Sequence, residues 1–355
     1  MAKLKLQKLR NEMAEQNIEA LLVTSSYNLR YITNFTGSAG LALVTKDRAF
    51  FITDFRYTEQ ASEQVTEFEV VQAKTNLLEE AAEKAKELGI KALAFEQDYV
   101  TYSSYLQYKE KLAAELEPVS GLIEKIRMIK TPEEVEILKA AAKIADDAFE
   151  HICGFIKAGQ TELEISNELE FFMRKQGATS SSFDTIVASG HRSALPHGVA
   201  TDKIVEQGDM ITLDYGALYN GYISDITRTV AVGEPSEKMK EIYQIVLDSQ
   251  LLGVEKIGPG MTGIEADAIA RDYIKSKGYG EAFGHSTGHG IGLEVHEGPG
   301  LSFKSQTVLE PGMAVTVEPG IYLPGIGGVR IEDDILITES GNVRLTNSTK
   351  ELRIL

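Results

Sequence analysis

The sequence predicts an α/β domain followed by an α+β domain built from two related halves. Three observations lead there. Residues 1–125 alternate between helix-like and strand-like patterns, a strong helix-start signature follows at TPEE, and beyond it two blocks of sequence recur in the same order at nearly the same offset.

In the first domain, LQKLRNEMAEQNI, TEQASEQV and LLEEAAEKAKELG carry apolar residues at helical spacing, whereas EALLVTS, LALVTKDRAFFIT and KALAFE are short apolar runs of strand type. The segment SSYNLRYITNFTGSAG (25–40) holds more aromatic and small polar residues than the core of such a domain needs. It suits an interface or a rim over a cleft, or else a strand connection packed within its own domain. The boundary falls between Gly121 and Lys130, dividing the chain into 1–125 and 126–355. Just beyond it Thr131 can cap a helix, Pro132 sits at the first helical position and Glu134 closes a capping box.

The second domain carries the repeat. GQTELEISNELEFFMRKQG (159–177) aligns with GMTGIEADAIARDYIKSKG (260–278), matching Gly159 with Gly260, Thr161 with Thr262, Glu164 with Glu265 and Gly177 with Gly278. Each copy reads as a capped helix that stops at a glycine. VEQGDMITLDYG (205–216) aligns with LEPGMAVTVEPG (309–320), and there Asp214 falls on Glu318. Each half therefore offers a helix, then a hairpin, with a carboxylate at the same place.

Composition narrows the function. A length of 355 residues suits two domains, and a hydrophobic fraction of 43% supplies their cores. The formal charge of −17 repels nucleic acid and anionic membranes and attracts cations. No apolar run approaches membrane-spanning length, and MAKLKLQKLRNEMAEQ lacks the apolar stretch of a signal peptide. The single cysteine, Cys153, excludes internal disulfides, so a cytoplasmic protein is expected.

Some of the acidic residues are placed to bind cations. ITLDYGALYNGYISDITRTVAV (211–232) alternates like two strands around Tyr219-Asn220-Gly221. A Tyr219-Asn220 loop sets Asp214 directly opposite Asp225, and an Asn220-Gly221 loop sets Asp214 opposite Thr227 with Asp225 diagonal on the same face. Either register brings together two like charges that destabilise a strand pair unless a cation lies between them. VTVEPGIYLPGIGGVRIEDDILIT repeats the pattern with Glu318 and Glu332. Four such carboxylates call for neutralisation, which two divalent cations supply. Calcium suits oxygen donors, but an imidazole in the set favours a transition metal. The segment FGHSTGHGIGLEVHEGPG (283–300) supplies imidazoles at His285, His289 and His296 among six glycines. Spacing alone does not say which of them is a ligand, and the lack of HExxH argues against a zinc helix.

DYGALYNGYISD, GHSTGHGIGLEVHE, VEPGIY and GVRIEDD resemble the motifs of the two-metal peptidases that include methionine aminopeptidase, prolidase and aminopeptidase P. The resemblance covers essentially the whole chain, with an N-terminal domain similar to that of prolidase, aminopeptidase P and creatinase. It implies the duplicated "pita-bread" α+β fold for the catalytic domain. It implies Asp214, Asp225, His289, Glu318 and Glu332 as ligands of two divalent metal ions, with Asp225 and Glu332 the chelating and bridging carboxylates. His285 and His296 would contact substrate or support the ligands, SGHRSALPHG nominates His197, and Arg330 matches an arginine of the aminopeptidase P branch.

What the resemblance implies is hydrolysis of the bond between an N-terminal residue and proline in short peptides. A water held between the metals would attack, Glu318 would shuttle the proton, and His296 and His197 would donate hydrogen bonds to the carbonyl or tetrahedral intermediate. Four carboxylates and one imidazole without a thiolate favour manganese, with cobalt as the other choice. A homodimer is expected, because dimers are common in this branch. Gly300 stands near the place where some prolidases carry an arginine for a dipeptide's carboxylate, so strict dipeptide preference is not implied. The alternatives are an aminopeptidase of the same fold that does not require proline, such as methionine aminopeptidase, and a non-catalytic pita-bread binding protein. The extra N-terminal domain disfavours the first, and the complete ligand set disfavours the second.

Overall fold

Strand and helix alternate through the first part of the chain, as the apolar pattern requires. The computed structural model describes residues 2–355, and the chain divides into two units, one ending at Arg127 and the other running from Met128 to Leu355. The first contains α1 (Ala2–Glu15), β1 (Ala20–Val23), α2 (Ser26–Thr33), β2 (Leu41–Thr45), β3 (Ala49–Thr53), α3 (Thr58–Gln64), β4 (Glu69–Gln72), α4 (Leu77–Glu87), β5 (Ala92–Glu96), α5 (Tyr102–Lys111) and β6 (Glu115–Val119), and it closes in α6 (Leu122–Met128). Its sheet has the order β4-β3-β2-β1-β5-β6, antiparallel from β1 to β3 and parallel at both flanks.

Three differences from the sequence expectation have local causes. LALVTKDRAFFIT is two strands, paired from Leu41 with Ile52 to Val44 with Ala49. The polar strands β4 and β6 lack an apolar run, because they lie at the sheet edges. Residues 26–33 form a helix because the Ser25 side chain accepts from Asn28 N and Asn34 takes a left-handed φ of 62° to end it. Tyr31 and Phe35 of this segment are buried in their own unit, and Tyr27 is left 42% exposed.

The second unit is built in two halves. The first runs through α7 (Pro132–Phe155), α8 (Glu162–Lys175), β7 (Ser180–Ser181), β8 (Ile186–Ser189), β9 (Met210–Tyr215), β10 (Ala217–Tyr219), β11 (Tyr222–Ile223) and β12 (Ile226–Ala231). The second runs through α9 (Glu237–Lys256), α10 (Gly263–Ser276), β13 (Gly288–Gly290), β14 (Glu297–Leu301), β15 (Ala314–Val317), β16 (Gly320–Leu323), β17 (Gly327–Arg330), β18 (Asp333–Thr338) and β19 (Gly341–Arg344). Thr131 and Glu134 form the capping box at the start of α7, with Pro132 in its first turn. The repeat-predicted helices α8 and α10 begin with capping boxes at Thr161/Glu164 and Thr262/Glu265. Gly177 and Gly278 follow them with φ of 103° and 87°. Even the isolated bridges are duplicated, Thr161 with Ile204 and Thr262 with Val308. An α/β unit followed by a duplicated α+β unit is therefore borne out.

The hairpins carry the acidic residues. Asn220 and Gly221 have φ of 48° and 85°, the paired positive values of a two-residue turn that matches strand twist. This fixes the second of the two registers: Asp214 pairs with Thr227, and Asp225 lies two residues before that partner. Gly216 stands at the crossing, where a Cβ would fall 1.7 Å from the Ser224 carbonyl oxygen. In the second half one register runs through both ladders, Val317 with Asp333 and Gly320 with Arg330, so Glu318 faces Glu332. The hairpins meet where Glu332 N donates to Thr227 O at 3.1 Å and Asp225 N donates to Asp334 Oδ2 at 2.9 Å. Apolar clusters lie behind them, including Phe149, Leu169, Leu213 and Val230 for one half and Ala266, Val315, Val317 and Ile335 for the other.

Next to the second hairpin lies a fully buried ionic cluster. Arg228 donates to Asp333 Oδ1 at 2.7 Å, and Lys350 donates to Asp333 Oδ2 at 2.6 Å. Burial alone would raise the Asp333 carboxyl, but Arg228 and Lys350 hold it below the usual carboxylate range. Removing the anion leaves two buried cations unpaired, so Asp333→Ala is expected to cost about 3–5 kcal/mol in urea unfolding. A loss below about 1 kcal/mol, as at an exposed pair, would contradict this.

Candidate active site

A cleft of about 660 Å³ opens in the second unit, and all the sequence-nominated site residues line it: Asp214, Asp225, His289, Glu318, Glu332, His197, His285, His296 and Arg330. The fold brings them there by strand ends. Asp214 is the penultimate residue of β9, Asp225 directly precedes β12, Glu318 directly follows β15, Glu332 directly precedes β18 and His289 is the middle residue of β13. Strand ends can present polar side chains because the ladder is interrupted there.

The carboxylates are arranged for a cation. One donor atom each of Asp225, His289 and Glu332 lies within 4.8 Å of the other two. Asp214 Oδ1, Asp225 Oδ1 and Glu332 Oε1 are buried and accept no hydrogen bond. Such orphaned acceptors are rare in folded proteins and cost about 1–3 kcal/mol each. Burial pushes the Asp225 and Glu332 carboxyls well above the usual carboxylate range, each raised further by the other acids. Glu318 is pushed up to about 8 by burial, against the pull of Arg330.

His289 supports the same conclusion. Its Nδ1 lies 3.1 Å from the Gly290 carbonyl oxygen, which can only accept, so Nδ1 carries the proton. Burial lowers the His289 pKa and keeps the ring neutral. The Nε2 lone pair then faces Glu318 Oε1 at 3.3 Å and Asp225 Oδ2 at 3.8 Å, so that one cation could be shared by all three groups. The donor set of carboxylates and one oriented imidazole thus fits divalent metal ions.

Around this set the groups are fixed by hydrogen bonds. Arg330 donates to Asp214 Oδ2, to Tyr322 OH at 2.8 Å and to Thr227 Oγ1 at 3.2 Å. His285 Nδ1 donates to Ser286 O at 2.8 Å, which leaves Nε2 to accept from Tyr322 OH at 2.7 Å. Burial lowers His285 to about 4, so it is neutral at physiological pH. His197 and His296 stand exposed at the rim, and the His296 ring packs edge-on against His289 with centroids 4.5 Å apart.

Sequence reasoning missed four contributors. Tyr322 links Arg330 to His285, Thr227 donates to Glu332 Oε2 at 2.6 Å, Thr316 donates to Glu318 Oε1 at 3.1 Å, and Asp334 accepts from Asp225 N. Each left a signal that carried no role: Thr316 is the repeat partner of Thr212, Thr227 is opposite Asp214 in one register, and Tyr322 and Asp334 end the motifs VEPGIY and GVRIEDD.

A duplicated α+β unit with clustered carboxylates and an oriented imidazole in its cleft is the arrangement of a metal-dependent peptidase. Residues 136–339 match metallopeptidase family M24 and residues 5–129 match the creatinase/prolidase N-terminal domain. The chain belongs to metallopeptidase family M24, as the motif resemblance implied. It is 61% identical over 353 residues to an uncharacterized peptidase of Bacillus subtilis, covering 99% of this chain and 100% of that one. It is 44% identical over 354 residues to a Xaa-Pro dipeptidase of Pyrococcus furiosus, covering 98% and 99%. Its fold superposes with a TM-score of 0.99 on the structure of a Xaa-Pro dipeptidase from Bacillus anthracis, at 64% identity and 100% coverage of both chains.

The fit of the donors to metal is testable without turnover. Manganese at about 100 times its Kd is expected to stabilise the protein by about 2.7 kcal/mol, read as a rise in Tm, with a smaller rise in Glu332→Gln. A Tm that neither manganese nor cobalt changes would contradict the fit.

Proposed function

We propose that this metallopeptidase hydrolyses the bond between an N-terminal residue and proline in short peptides. The observation that carries the reading is a complete donor set and rim histidines on one cleft, in a chain that aligns end to end with Xaa-Pro dipeptidases. Asp214, Asp225, His289, Glu318 and Glu332 would hold two divalent cations, and the absence of thiolate favours manganese, then cobalt. When bound, the metals supply Lewis-acid chemistry, polarising the scissile carbonyl and lowering the pKa of the attacking water.

The chain's own groups do the rest. Glu318, oriented by its hydrogen bond from Thr316, takes the proton of the attacking water and returns it to the proline nitrogen as the C–N bond breaks. A tertiary X-Pro amide has no N–H to grip, so binding relies on its carbonyl and on the substrate's amino end. His296 and His197 at the rim donate to that carbonyl as it becomes an oxyanion. Arg330 and Tyr322 hold Asp214 and His285 in place. Apolar Phe183, Ile186, Pro196 and Val295 on the same cleft suit the pyrrolidine ring.

The reading includes a cytoplasmic homodimer formed through the N-terminal unit, where Phe55 is 74% and Tyr27 42% exposed. Among the described residues no helix is long and apolar enough to cross a membrane. Light scattering at micromolar concentration should give twice the chain mass, and a monomer would contradict the dimer.

The manganese-loaded protein should cleave Gly-Pro, Ala-Pro or Arg-Pro-Pro and leave matched peptides without proline intact; equal cleavage of both sets would contradict proline selectivity. Asp225→Asn should abolish turnover and lower the metal content by elemental analysis. His296→Ala should keep its metals and lose on the order of 10²-fold in kcat, as for loss of an oxyanion donor. Full metal content with normal turnover in either variant would overturn the role assigned to that residue.

A further inference from the structure

The two rim histidines differ from the inner ones in how they are held. The rings of His285 and His289 make hydrogen bonds, whereas those of His197 and His296 make none. Their positions are set by the irregular segments that carry them, and each segment is fastened by one buried carboxylate.

Glu297 fastens the segment that carries His296. Its Oε1 accepts from Leu293 N at 2.7 Å and Glu294 N at 3.0 Å, and its Oε2 lies 3.3 Å from Lys130 Nζ. The Lys130 and Glu297 side chains are only 1% and 5% exposed. Gly292 lies against the same carboxylate, where a Cβ would fall 2.6 Å from Oε2. Glu162 does the same for His197. It is wholly buried, and its Oε1 accepts from Ser189 N and Oγ at 2.8 and 2.9 Å. Its Oε2 accepts from Thr201 N and Oγ1 at 3.1 and 2.8 Å and from Arg192, closing the two ends of the loop on one group. A buried carboxylate with a cation and several amides is fully satisfied, and it holds a segment rigidly that has no ladder of its own.

We infer that Glu297 and Glu162 are positioning residues for the peptidase reaction, each acting through the rim histidine on the segment it fastens. The inference rests on the reading that those histidines meet the substrate carbonyl. Fixed donors stabilise a developing charge because they need no reorganisation at the moment of reaction.

The test is a coupling measurement on the full-length, manganese-loaded protein. Glu297→Gln should lower kcat about tenfold at unchanged metal content, yet less than about twofold when made in His296→Ala, because residues that act as a unit are non-additive. Glu162→Gln should show the same pattern with His197→Ala. By hydrogen exchange and mass spectrometry, residues 291–297 should exchange faster in Glu297→Gln while β15 and β18 stay protected. Equal losses in both backgrounds, loss of metal, or unchanged exchange of residues 291–297 would overturn the inference alone. Normal turnover of His296→Ala and His197→Ala would instead overturn the histidine roles, and the inference with them.

Discussion

Four carboxylates stand side by side around one cleft, three of them buried, and the rest of the second unit answers that fact. Ionised acids at this depth repel one another and lose their hydration, a penalty of several kcal/mol per ion in the absence of partners. Arg330 compensates Asp214, and Thr227 and Thr316 each give a hydroxyl to one glutamate. Asp214 Oδ1, Asp225 Oδ1 and Glu332 Oε1 have no protein partner, and the lone pair of His289 faces the same space. Divalent cations would neutralise the cluster and supply these acceptors with partners.

The duplicated hairpins make such an arrangement possible. Each half brings its acids to strand ends, and the halves abut so that β12 lies beside the segment from Arg330 to Asp334. The symmetry is approximate where chemistry needs it to be. Glu318 faces Glu332 directly, whereas Asp225 is offset from Asp214 by the Asn220-Gly221 turn and the crossing at Gly216. Behind them Asp333, held between Arg228 and Lys350, fixes the backbone of β18 next to Glu332. Rigid strands thus carry the groups that must not move, and fastened loops carry the rim histidines.

Features with a short sequence range were legible. The capping boxes at Thr131, Thr161 and Thr262 involve residues three apart, and the repeat exposed the paired helices and acidic hairpins. The register between Asp214 and Asp225 remained two-valued because Tyr219-Asn220 and Asn220-Gly221 both make acceptable loops. Only the two consecutive positive φ values decide it. The hydrogen bonds of Asp334 and Thr227 were invisible because their partners lie 109 and 105 residues away. Glu162 reads in sequence as an ordinary acid in a first helical turn, and nothing local shows that it is buried beneath a loop. The roles of the individual histidines came from motif resemblance, because spacing alone did not separate the inner pair from the rim pair.

The carboxylate cluster is proposed to hold two divalent cations. Anomalous diffraction from crystals of the protein grown with manganese tests it most directly. Two manganese peaks are expected in the cleft, in contact with Asp225 and Glu332, with His289 Nε2 on one of them. A single peak, or none in contact with these carboxylates, would contradict it.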